Sequence, residues 1–219
     1  MIKTKQMKVE LLSTWGDDNT ICDTARVSYN KKARMYTNEE NEKLIRFLAK
    51  NNHWSPFAHP KVQFRLEIPI YVERQIIKTA VGVDYNSVSG RYIDFSDGYT
   101  IIYVWRKQSA SSKQGSGEYL DKTSNEIANM IQDQVVDNAK IAYQNLIELG
   151  VSKEQARTIL PLNLNTTMIW TGSLYALIRL CKQRLKSDAQ KETRDVVEEM
   201  LRQVKDTNLF TTSLNAYNL

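Results

Sequence analysis

Three arginines and one Ser-Gly step are the residues of this chain best suited to chemistry. Arg91 lies in the turn-rich run from Asn86 to Tyr92, Asn-Ser-Val-Ser-Gly-Arg-Tyr, Arg157 follows Ser152 and Gln155 in helix-capping spacing, and Arg184 falls near the end of an apolar helical stretch. A guanidinium presents a planar fork of N–H donors that fits a phosphate or the edge of a pyrimidine. Ser89 and Gly90 add backbone N–H groups that can approach an anion closely, because Gly lacks a Cβ. As a set these groups suit a nucleotide. Singly, each arginine more often belongs to a solvated or ion-paired surface, and Ser-Gly to a plain turn. Spacing alone leaves the function open.

The elements that must position them are legible in part. Met7, Val9 and Leu11 alternate with polar residues, which predicts a strand, and Lys61–Ile68 alternates more cleanly, with Val62, Phe64, Leu66 and Ile68 on one face. Thr37 and Glu40 stand in capping-box spacing before a helix holding Leu44, Ile45 and Leu48. Pro69 suits the first turn of a helix running out near Gly82, so the segment Arg74–Phe95 is expected to begin as helix and end as loop. Tyr99–Trp105 reads as a strand, and residues 107–119, rich in Ser, Gly and Gln, as a mobile loop. A long helix is expected from about Asp121 to Gly150, then a short one carrying Arg157 and broken at Pro161. A third helical stretch should hold Trp170, Leu174, Leu177 and Cys181, and a fourth, capped by Ser187 and Gln190, Val196 to Val204. The order predicts an α+β fold, a mixed sheet packed on helices, in one domain spanning 1–219 with a helical C-terminal half.

Composition limits the function classes. The 219 residues are 42% hydrophobic, enough for one sizeable core, and 30 basic against 25 acidic residues give a net charge of +5. That mild, dispersed excess suits an anionic small molecule, and no basic and aromatic interleaving suggests a nucleic-acid module. Cys22 and Cys181 lack the spacing of a zinc site or disulfide framework, and His53 and His59 are too few for a histidine-rich metal cluster, so no metal is expected. With no apolar leader and no run approaching a membrane span, the protein is expected to be soluble and cytoplasmic.

Four runs carry a resemblance: Thr24–Asn30 (TARVSYN), Leu44–Gln75, Asn86–Tyr92 (NSVSGRY) and Ala156–Trp170 (ARTILPLNLNTTMIW). In order and spacing the chain resembles the flavin-dependent thymidylate synthases, the ThyX family, over roughly Val9 to Lys205. The resemblance implies methylation of C5 of dUMP with methylenetetrahydrofolate as carbon donor, FAD as cofactor, NADPH as reductant, and a homotetramer whose sites lie between subunits. It implies that Gln75, Ser89, Gly90, Arg91, Arg157 and Arg184 hold the pyrimidine deoxynucleotide. Ser28, His53, Ser55, Val81 and Asn86 then lie near the flavin, with Lys78 as a positive charge beside it. Arg184 and Ser89 would polarise the base, because C5 of uracil is a poor nucleophile until its carbonyls are polarised in a dry pocket. No base stands beside Ser89 in the sequence, so it reads as a binding group rather than a covalent nucleophile.

The chain departs from the family pattern at defined positions. Where the family has Arg-His-Arg, seven residues and Ser, this chain has Lys78, Thr79 and Ala80, then eight residues before Ser89. Ser87 stands where a glutamate is usual, Ser173 for an asparagine and Asp188 for a histidine. Three readings follow: a flavin-dependent C5-methylating enzyme, a lapsed or repurposed relative that binds nucleotides without thymidylate synthesis, and a basic nucleic-acid-binding protein. The first is favoured and the last has least support.

Overall fold

The strand Lys61–Pro69 is built by its alternation. Val62, Phe64, Leu66 and Ile68 are fully or almost fully buried, while Lys61 and Arg65 are exposed. Burying each of these apolar side chains contributes roughly 1.5–3 kcal/mol. They join Leu177, Ile178, Val197 and Met200 in the main core, so this strand is the floor on which the late helices pack.

The computed structural model describes residues 6–91, 98–110 and 115–219. In chain order the elements are β1 (Lys8–Trp15), α1 (Asp18–Arg26), α2 (Asn38–Lys50), β2 (Lys61–Pro69), α3 (Ile70–Ile76), β3 (Val83–Ser87), β4 (Arg106–Gln108), β5 (Ser116–Tyr119), α4 (Lys122–Glu148), α5 (Lys153–Ala156), β6 (Asn165–Ser173), α6 (Leu174–Arg184), α7 (Lys191–Asp206) and α8 (Thr211–Ala216). The main sheet runs β1-β2-β6-β3 with every pairing antiparallel, and β4 and β5 form a separate two-stranded sheet. The expected α+β class and helical C-terminal half are present.

Local signals explain several boundaries. Thr37 Oγ1 accepts from Glu40 N at 3.3 Å and Glu40 Oε2 from Thr37 N at 2.8 Å, the reciprocal box that starts α2. Asp121 accepts from Ser124 N at 3.0 Å to start α4, and Gly150, at φ +86°, ends it in a conformation that side chains with a Cβ disfavour.

Other expectations are corrected. Trp170 lies on β6, not on a helix, opposite Phe64 of β2. Trp170 and Gly172 share a face, and a Cβ on Gly172 would fall 2.3 Å from the Trp170 ring, so a glycine near the end of the strand makes room for the indole. The segment after α3 is also strand: β3 pairs with β6 from Val83 opposite Gly172 to Ser87 opposite Met168. Thr100–Trp105 is not a strand, although Tyr99 bridges Leu164. Side-chain amides of α4 take the place of a partner strand there: Gln132 brackets both Ile102 backbone groups at 3.0 Å, and Asn125 accepts from Trp105 N and donates to Tyr103 O, each at 2.8 Å. Within 107–119, expected as loop, β4 and β5 form a pair. Gln190 caps α7 through its backbone position only, without a side-chain cap bond. Tyr92 and the centre of the 107–119 segment lie outside the described residues.

Candidate functional site

α3 is the hinge between the sheet and the site. Ile70 N and Tyr71 N donate to Leu164 O at 3.0 Å and Leu162 O at 3.2 Å, which fixes the helix against the segment leading into β6. From its far end the Gln75 side-chain amide donates to Gln190 Oε1, and the Gln75 carbonyl accepts from Arg184 Nη2 at 2.7 Å. Arg184 is thereby aimed, and its Nε is buried with no partner among the described residues. Just beyond, Thr79 is 4% exposed and donates to Gln183 Oε1 at 2.9 Å.

Gln75 and Arg184 line a cavity of about 720 Å³ together with Arg106, Lys107, Lys186, Asp188 and Gln190. Arg106 is held there by Glu192, with Nη2 2.8 Å from Oε1 and side chains 17% and 11% exposed, and by Ser116 Oγ at 2.7 Å from Nε. Burial pushes the Glu192 carboxyl up, but the Arg106 hydrogen bond, the α7 backbone and the Arg106 charge outweigh it and hold it below the usual glutamate range. With Glu192 balancing Arg106, the cavity keeps Lys107, Arg184 and Lys186 against Asp188, a surplus of positive charge fit for an anion.

Gly90 and Arg157 line a second cavity, of about 180 Å³, with Glu73 and Ser87. Ser87 Oγ donates to Glu73 Oε1. A carboxylate from α3 thus stands against the Asn86-Ser87 step. Ser89 is half-buried and accepts from Arg91 N at 3.4 Å and Nε at 3.5 Å, so the run Ser89-Gly90-Arg91 folds back on itself.

Ser28, His53 and Ser55 line a third cavity, of about 530 Å³, beside Trp54. Trp54 stacks on Tyr175 with ring centroids 5.6 Å apart, and His53 meets Phe47 edge-on at 5.9 Å. Lys78 and Val81 stand apart from it in the exposed turn after α3, and Asn86 lies exposed on the outer strand β3 opposite Ile169. Burial pushes the Cys22 and Cys181 thiols up to about 11 and 12, which leaves neither a nucleophile at neutral pH.

Within one chain, then, Gln75 meets Arg184, Gly90 meets Arg157, and Ser28 meets His53 and Ser55, in three separate cavities. Sequence reasoning missed Glu73, Arg106, Lys107, Lys186 and Gln190. The basic pair Arg106-Lys107 was a usable signal, hidden by its position at the edge of a Ser-rich run.

Comparisons with known proteins agree on one family. The family model described as thymidylate synthase complementing protein matches residues 10–207. A flavin-dependent thymidylate synthase of Kosmotoga olearia is 33% identical over 184 residues, covering 84% of this chain and 79% of the relative. Another, of Thermus thermophilus, is 34% identical over 199 residues, covering 90% and 71%. The solved structure of a UMP/dUMP methylase PolB from Streptomyces cacaoi, bound with 5-Br dUMP, superposes with a TM-score of 0.86 at 22% identity, covering 100% of this chain and 97% of that one. That structural likeness speaks for the fold, and the sequence matches speak for the lineage: the chain belongs to the flavin-dependent thymidylate synthase family.

Proposed function

We propose that this protein methylates C5 of a pyrimidine deoxynucleotide, dUMP first among them, with FAD as cofactor, methylenetetrahydrofolate as carbon donor and NADPH as reductant. The observation that carries the reading is Arg184, a half-buried guanidinium anchored through Nη2 on the Gln75 carbonyl, which lines the cavity with further cations around it. A donor fixed before substrate arrives polarises a uracil carbonyl without reorganising, which raises electron density at C5. Lys107 and Lys186 add attraction for an anionic ligand, and Arg157 with the Gly90 backbone suits a phosphate. The hydroxyls of Ser28 and Ser55 and the His53 imidazole, beside the flat Trp54 ring, form a donor set and surface that fit a flavin nucleotide, while Lys78, outside this cavity, would meet the cofactor from a neighbouring subunit. When bound, the flavin supplies the methylene relay and hydride transfer.

Assembly belongs to the same proposal. The three residue sets lie in separate cavities of one chain, which accords with sites completed between subunits of a homotetramer. The apolar side chains Ile127, Met130, Ile131 and Val135 on α4, all more than half exposed, supply a face for a second copy.

A second reading has its own observation. Thr79, at the centre of the altered signature, is buried and bonded to Gln183 rather than open to a ligand. That favours a relative that binds nucleotide with weakened flavin affinity. Titrating FAD and dUMP separately into the protein, with Arg184→Ala in parallel, tests the two. The methylase reading expects micromolar or tighter binding of both by the parent and loss of dUMP alone in the variant. Absence of FAD binding by the parent contradicts it and leaves the second reading.

A further inference from the structure

Glu73 is a residue that neither the signature nor the arginines point to. It lies in α3 one residue before Arg74, half-buried, on the wall of the cavity that holds Gly90 and Arg157. Ser87 Oγ, from β3, donates to Oε1 and fixes the carboxylate across two elements. Oε2 has no partner among the described residues, and the Arg157 side chain has neither hydrogen bond nor ion pair there. Glu73 and the exposed residue Arg157 thus both line this cavity of about 180 Å³ without forming an ion pair with each other. Opposite charges left apart in this way fit a ligand that is an acceptor at one end and a donor at the other.

We propose that Glu73 is a specificity-determining residue that accepts the sugar hydroxyl of the nucleotide whose phosphate Arg157 and Gly90 receive. The inference rests on the nucleotide reading above and deepens it. A carboxylate repels phosphate, so its presence beside Arg157 limits where the anion sits and leaves Oε2 for an O–H donor. Ser87 is the orienting partner: its hydroxyl proton goes to Oε1, so the remaining oxygen stays an acceptor.

The test compares binding of dUMP with that of its analogue lacking the 3′-hydroxyl, by calorimetry on the full chain. The parent should bind dUMP roughly tenfold or more tightly than the analogue, the scale of one hydrogen bond to a charged group. Glu73→Ala should bind both ligands equally. Moving the carboxylate in Glu73→Ala/Ser87→Glu should restore the preference, because side chains 73 and 87 are in contact. Glu73→Gln, which keeps the shape and guards against misfolding, should fall between parent and Glu73→Ala. A purely structural role would weaken both ligands alike in Glu73→Ala, and that result, or a parent indifferent to the hydroxyl, overturns the inference while leaving nucleotide binding intact. A parent that binds neither ligand overturns the nucleotide reading itself, and this one with it.

Discussion

Arg184 and His53 line cavities of similar size, about 720 and 530 Å³, assembled from very different lengths of chain. The contacts behind Arg184 join residues 86 to 115 positions apart: Arg106 to Glu192, Arg184 to Gln75, and Gln75 to Gln190. The His53 cavity is lined by residues 24–28 and 48–56, two short segments carried by α1 and the end of α2. The first geometry exists only when four distant elements have docked, and one broken link releases several groups. The second is local and should tolerate single changes. Substrate chemistry needs a fixed guanidinium, whereas a large cofactor spreads its binding over many contacts, so the contrast accords with the proposed division into a substrate side and a flavin side.

The largest effect expected from breaking this contrast is at Arg184. Replacing it with Ala should lower turnover of dUMP by roughly two to three orders of magnitude, the scale for loss of one preorganised donor, and Lys should not recover it because the fork is gone. His53→Ala should instead weaken flavin binding by only about tenfold. Steady-state kinetics and flavin titration on the two variants separate the effects, and equal losses of turnover would remove the contrast.

Next is the Arg106–Glu192 pair. Glu192→Ala leaves a largely buried guanidinium without its counter-charge and should destabilise the protein by roughly 2–3 kcal/mol, somewhat under the range for a fully buried pair. The double change with Arg106→Ala should cost less than Glu192→Ala alone, as urea denaturation would reveal. The carboxyl is held below its unfolded value, so the stabilisation is complete above the ordinary glutamate range and is lost as pH falls through the lowered folded value. Asp18 works in the opposite sense. Burial raises its carboxyl despite bonds from Thr212 N and Ser213 N, so its contribution is fully present below the unfolded value and fades as pH rises through the folded one. Acid unfolding of the parent should accordingly start at higher pH than that of Glu192→Ala/Arg106→Ala, measured relative to each protein's neutral stability.

The smallest effects sharpen the account of the signature. Thr79→His must displace the Gln183 contact from a buried position and should cost roughly 1–3 kcal/mol, whereas Ala80→Arg, on an exposed residue, should stay within about 0.5 kcal/mol. Thermal melts would check both. A neutral Thr79→His would mean that this turn has room the packing does not suggest.

These comparisons also say what the sequence could reveal. β2 was legible because its alternation matches its one-sided burial, and α2 and α4 because Thr37, Glu40, Asp121 and Gly150 carry caps that act locally. β6 was not, because Gly172 and Ser173 interrupt its alternation, and both answer to other elements: Gly172 yields to Trp170, and Ser173 Oγ caps α6 through Ala176 N at 3.1 Å. The segment Thr100–Trp105 has a strand's composition but bonds to α4 side chains, a partnership visible only after folding. For the site, the individual arginines were legible from their chemistry and from the family resemblance. Glu73 and Arg106 were not, since their meaning depends on Ser87, 14 positions on and in another element, and on Glu192, 86 positions on.

Formation of dTMP by the purified protein from dUMP, with methylenetetrahydrofolate, NADPH and FAD supplied together and then each omitted in turn, tests the proposed function most directly. The account predicts product only in the complete mixture and its loss on omission of any one component. No product in the complete mixture from a protein that binds dUMP would contradict it.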